Sequence, residues 1–144
     1  MASDRPKAAN LPIVWQGARA DMRMTEGVAK QYGQATDNED ENSVKRKTHL
    51  ERSFREFGDH DDYFRRLSDK KFKKEGNFSD GKGGKVAIWT FKGWQWRLYG
   101  AILKITGRRC FVGVEVDPDK KQDRADQQKL KSSAKAIAEF DEYE

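Results

Sequence analysis

Between Val44 and Lys74 the chain carries eleven basic side chains against six acidic ones. Lys45, Arg46, Lys47, Arg52, Arg55, Arg65, Arg66, Lys70, Lys71, Lys73 and Lys74 are interleaved there with aromatic residues. Cations neutralise phosphates and rings stack on bases, so the combination suits single-stranded nucleic acid. The competing reading is a solvated helical face whose rings belong to the core, and the helical spacing of those rings favours it. Arg97 stands in a different setting, within a strongly β-type stretch. An arginine fixed on a rigid strand is suited to a bidentate grip on phosphate. Trp89, Trp94 and Trp96 lie beside it, with Trp94 and Trp96 expected on one face and Arg97 on the other. They serve either as a binding platform or, as the alternation favours, as buried packing.

Other constellations are weaker. His49 and His60 are too few and too far apart for a zinc motif, and the carboxylates Asp59, Asp61 and Asp62 lack calcium-loop spacing. Asp61 reads instead as a helix N-cap. The glycines of GKGGK precede a strand and do not open a helix, which removes a nucleotide-loop reading. Cys110 has no base partner in the sequence and reads as a buried thiol. No metal and no cofactor are expected.

These side chains need elements to hold them. Leu11 to Trp15 reads as a short first strand, and Arg19 to Gln34 as a helix directing Met22, Val28, Ala29 and Tyr32 inward. Residues 36–43 form an acidic loop without a hydrophobe. Val44, Leu50, Phe54 and Phe57 share one side of a second helix that Gly58 ends, and a short third helix follows through Tyr63, Phe64 and Leu67. Residues 68–84 read as a loop anchored by Phe72 and Phe78. From Lys85 the pattern turns to alternation. Residues 85–91, 94–104 and 110–116 are three strands joined by turns at Lys92-Gly93 and at Thr106 to Arg108, an antiparallel meander over about 85–117. Leu130, Ala134, Ile137 and Ala138 then mark a C-terminal helix packed on one face of the sheet. The fold class is α+β, with N-terminal helices, the meander and a terminal helix.

The chain has the length of one domain, here residues 11–144 behind a flexible tail of residues 1–10. Hydrophobic residues make up 35% and charged ones 37%, so the core is small and much of the chain is solvated. The net charge of +5 and pI near 9.3 favour an anionic partner. One cysteine and no apolar run of signal or membrane-spanning length point to a protein of the cytoplasm that does not contact a membrane.

The succession FKKEG, KVAIWTFKGWQWRLYGAIL and FVGVEVDPDKKQDRADQQKLKSSAKAI resembles the RelE/ParE toxin superfamily, in particular its phage-derived HigB-like branch. The resemblance spans about Leu67 to Phe140. It implies a RelE-like domain acting as a type II toxin, a ribosome-dependent mRNA endonuclease whose partners are a cognate antitoxin protein, mRNA and the ribosome. Such cleavage needs the 2′-hydroxyl to attack the adjacent phosphate while cations stabilise the transition state. Arg97 matches the family's strand arginine, and Lys120 and Lys121 match the basic pair after the last strand. These three are the catalytic candidates. Lys70, Lys71, Lys73, Lys74, Arg65 and Arg66 are the RNA-binding candidates. The family pattern departs at VEVDPD, where Glu115, Asp117 and Asp119 stand where a phosphate must approach, and Tyr143 has no counterpart. The alternative is a non-catalytic nucleic-acid or protein-binding protein of the same RelE-like fold, encoded by a phage.

Overall fold

The computed structural model describes residues 5–118 and 124–143. Six strands form one sheet in the order β1-β2-β6-β5-β4-β3. They are β1 (Ile13–Gln16), β2 (Ala20–Met24), β3 (Phe72–Ser79), β4 (Lys85–Gly93), β5 (Trp96–Ile105) and β6 (Arg108–Asp117). Helices α1 (Glu26–Thr36), α2 (Glu41–Asp59) and α3 (Tyr63–Arg66) come between β2 and β3, and α4 (Gln127–Ala138) follows β6. The α+β class and the C-terminal helix expected from the sequence are present. β3 to β6 form a meander, and β6 also pairs with β2 in parallel. The helical segment between β2 and β3 makes that parallel crossover possible.

Strand alternation divides the apolar residues into two cores. On one face Met22, Met24, Phe72, Phe91, Leu98 and Phe111 pack against Leu50, Phe54 and Phe57 of α2. Edge-to-face contacts dominate there, such as Phe54 on Phe91 at 5.1 Å between centroids and Phe91 on Phe111 at 4.8 Å. On the other face Val86, Ile88, Tyr99, Ala101 and Val112 pack against Leu130, Ala134 and Ile137 of α4. The α4 stripe is the one its sequence period predicts, opened by Asp126, whose carboxylate accepts from the Gln128 and Lys129 amides.

Several elements differ from the sequence reading. Ala20 to Met24 is a strand, and the helix expected from Arg19 begins only at Glu26, capped by Thr25. Residues 72–79, read as loop, form edge strand β3. A bulge between Lys74 and Gly76 interrupts its pairing, with Gly76 at φ 145. Half of the acidic segment 36–43 is helical: Thr36 ends α1, α2 begins at Glu41, and Asp40 caps α2 by accepting from the Ser43 amide. Val44 is exposed, outside the apolar stripe. Gly58 sits within α2 and does not follow it; a Cβ on Gly17 would stand 2.3 Å from the Gly58 carbonyl oxygen. That contact presses the end of α2 onto the backbone between β1 and β2. The β4–β5 turn falls at Trp94-Gln95, not Lys92-Gly93, with Gln95 at φ 52. Glycine is needed at 93 because a Cβ there would lie 2.7 Å from Leu50 Cγ.

The N-terminal segment is docked from Arg5 onward, where a free tail was expected. Arg5 donates to the carbonyls of Ala138 and Phe140, and the Ala8 and Ala9 amides donate to the Glu142 carboxylate at 2.7 and 2.8 Å. Tyr143 donates to Asp80, closing the same corner. No helix among the described residues is long and apolar enough to cross a membrane.

Candidate functional site

Two basic clusters meet at the end of the sheet where β4 turns into β5. The first surrounds Arg97 on the α4 face. Its side chain is 7% exposed, and Nη1 lies 3.7 Å from Glu75 Oε2, which is equally buried. The bulge in β3 delivers Glu75 to this position, and the Thr90 hydroxyl donates to the same oxygen at 2.7 Å. Asp117 is the cross-strand neighbour of Arg97 on β6, and it accepts from the Tyr99 hydroxyl at 3.3 Å. Lys129 of α4 lies 3.7 Å from Asp117 and donates to the Val116 carbonyl at 2.7 Å. Arg97 is therefore held among carboxylates inside the sheet and is not presented on an open surface. Burying such a pair costs desolvation of both charges, which the interaction and its added hydrogen bonds must offset.

Lys92 connects this cluster to the second. It is the cross-strand partner of Arg97 and donates to the Asp69 carbonyl at 3.0 Å. Burial holds its ammonium below the ordinary lysine range; Arg97 and Lys73 push the same way, while Glu75 and Asp69 oppose.

The second cluster lines a cavity of about 330 Å³ between α2, the turn before β3 and the β4–β5 hairpin. His49, Arg52 and Ser53 come from α2, Lys70 and Lys71 from the turn, and Lys92, Gly93 and Trp94 from the hairpin. The i, i+3 and i+4 spacing of the three α2 residues places them on one strip of the helix. Five of the lining residues are basic or imidazole groups and none is a carboxylate. Arg46, one turn before His49, fixes the geometry by donating to the carbonyls of Trp94 and Ala35, both at 2.9 Å.

The sequence-selected residues separate accordingly. Lys70 and Lys71 enter the cavity, and Lys73 lies close enough to influence Lys92. Lys74 faces the other side of β3, opposite Trp89 in register. Arg66 is engaged by Asp62 at 2.9 Å and Glu56 at 3.6 Å, and Arg65 lies over the exposed Phe64 ring. Lys120 and Lys121 lie outside the described residues. Trp94 and Trp96 do not share a face: Trp96 is buried at 2% exposure, whereas Trp94 sits in the turn at 36%. Asp61 is not a cap; it pairs with Arg109 at 3.2 Å, and Asp62 occupies the cap position. Cys110 is buried, and burial pushes its thiol up to about 12. Among the described residues no group of His, Cys, Asp and Glu is placed to hold a metal ion.

Sequence reasoning missed Lys92, Arg52 and His49 as members of one site. The sequence places Lys92 in a turn and Arg52 in the basic run, while nothing local ties His49 to either. Against protein-family models, curated proteins and solved structures, the chain has no match.

Proposed function

We propose that this protein acts on single-stranded RNA, as a RelE/HigB-like toxin that cleaves mRNA at the ribosome and is restrained by a protein antitoxin. One observation carries the RNA reading. Cationic side chains far apart in sequence converge around Lys92, next to an exposed tryptophan and directly opposite Arg97 in the strand register. Cations supply the sequence-independent attraction to phosphates, and an aromatic ring beside them supplies base stacking. The toxin part of the reading rests on the resemblance of the meander, its strand arginine and the terminal helix.

Induced expression in a bacterial host tests it. Growth arrest with new mRNA ends is the expected result, relieved by the surface variant Lys70→Ala/Lys71→Ala. Unimpaired growth with intact mRNA at high protein levels would refute the toxin reading. A second reading, RNA binding without cleavage, is favoured by the engagement of Arg97 with Glu75 in the protein interior. It predicts salt-sensitive RNA association with the RNA recovered intact.

A further inference from the structure

The cations of this molecule fall into two classes. Arg46, Arg66, Arg97, Arg108 and Arg109 are each committed to protein carbonyls or carboxylates. The side chains of His49, Arg52, Lys70 and Lys71 make no hydrogen bond or ion pair with any described residue, yet all four border one cavity. Ser53 adds an independent sign. It is 1% exposed, lines the same cavity, and its buried hydroxyl has no hydrogen-bond partner. A serine in mid-helix ordinarily returns its hydroxyl to the carbonyl one turn back, as Ser133 does at 2.6 Å to Lys129. Leaving a buried hydroxyl unsatisfied costs free energy, and a ligand oxygen at this depth removes the cost.

We propose that this cavity is a phosphate subsite for one nucleotide unit, with Arg52, Lys70, Lys71 and Lys92 gripping the phosphate, the Ser53 hydroxyl donating from the floor, and Trp94 stacking on the base. It deepens the RNA reading above by naming the pocket that takes a phosphate, and it rests on that reading for the identity of the ligand. The lining chooses phosphate over a carboxylate, because four cationic groups around a cavity that no carboxylate lines call for a multiply charged anion that accepts from many directions. Lys92 uses one of its three protons on Asp69 and has two left for the ligand. The size fits as well: about 330 Å³ is at the lower bound for small-molecule sites. Trp94 distinguishes a nucleotide from free phosphate. Its ring is partly exposed at the rim, and Lys45 lies over it at 4.8 Å.

The test is an amide-shift titration of the full chain with inorganic phosphate, uridine, uridine 5′-monophosphate and a 5′-phosphorylated oligouridine. Phosphate and the two phosphorylated ligands are expected to shift the amides of Ser53, Lys71 and Gly93, with the mononucleotide at least tenfold tighter than phosphate and uridine without effect. Arg52→Gln should weaken the mononucleotide tenfold or more, Ser53→Ala several-fold, and Trp94→Leu should erase its advantage over phosphate. Shifts confined to other surfaces, or binding indifferent to Arg52→Gln, overturn the proposal. Ser53→Ala removes only the hydroxyl oxygen, so its melting temperature separates loss of the ligand contact from loss of the fold. If phosphorylated ligands bind here while expression leaves growth and mRNA intact, the subsite stands and the toxin reading falls. If mRNA is cut but none of these ligands reaches the cavity, the subsite falls and the toxin reading stands.

Discussion

The Arg97 cluster and the Lys92 cavity are neighbours with similar chemistry and opposite states. On the α4 face an arginine is enclosed, paired with Glu75 and bordered by Asp117. On the α2 side, three lysines, an arginine and the His49 imidazole border open space, and no carboxylate lines it. The difference separates charge engaged within the sheet from charge that borders open space. A rigid strand is a good place for a phosphate-gripping arginine, but rigidity also lets a bulged neighbour supply the carboxylate that neutralises it.

The strongest way to break this comparison is to remove the carboxylate. Glu75→Ala leaves a charge buried, so stability should fall by roughly 3–5 kcal/mol in urea unfolding, while Glu75→Gln, which keeps an acceptor for Thr90, should cost less. An unchanged midpoint for Glu75→Ala would show that Arg97 is not held by this pair. Next in size is Gly93→Ala, which drives a Cβ into Leu50 and should cost about 1–3 kcal/mol by the same assay, loosening the wall shared by cavity and core.

Replacing cavity cations should do the reverse. Arg52→Ala, Lys70→Ala and Lys71→Ala should each change stability by less than about 0.5 kcal/mol. Together they should lower RNA affinity tenfold or more and flatten its salt dependence. Loss of stability without loss of binding would erase the distinction between the two clusters.

The smallest effect is expected at the far end of the α4 face. There the Tyr143 hydroxyl, followed by the Lys82 and Gly84 amides, holds the Asp80 carboxyl below the usual aspartate range. A lowered folded value means the contribution is present above the ordinary aspartate pKa and is lost as pH falls through the lowered one. The protection of the Lys82 and Gly84 amides, measured against their intrinsic exchange rates, should therefore fall in acid while the protection of α2 is unchanged. Tyr143→Phe should move that loss to higher pH.

How much of this could be read in advance follows from how local each signal is. β4, β5, β6 and α4 were legible because alternation and the α4 stripe run unbroken over many residues. β2 was misread because four of the five residues in ADMRM are good helix formers, although Ala20, Met22 and Met24 alternate to one face. β3 escaped because an edge strand with a polar outer face and a bulge at Glu75 looks like loop. The site suffered more. Arg97 was found but its partner Glu75 was not, since the two lie 22 positions apart and are brought together only by the bulge and two strand pairings. Lys70 and Lys71 were singled out by local charge, while His49 and Arg52 join them only through the packing of α2. One available cue was Lys92-Gly93-Trp94, a cation, a glycine and an aromatic at a hairpin end.

The glycine contact at 17 and 58 has a kinetic consequence. α2 is held there against the β1–β2 backbone and near its other end by Arg46, so both ends of the helix that walls the cavity are anchored. If the cavity takes an anion as proposed, a wall anchored in this way predicts capture without a slow conformational step, with encounter set by the long-range field of the lining cations. The association rate should fall steeply with ionic strength while the dissociation rate responds little, a pattern that stopped-flow measurement of nucleotide capture would display.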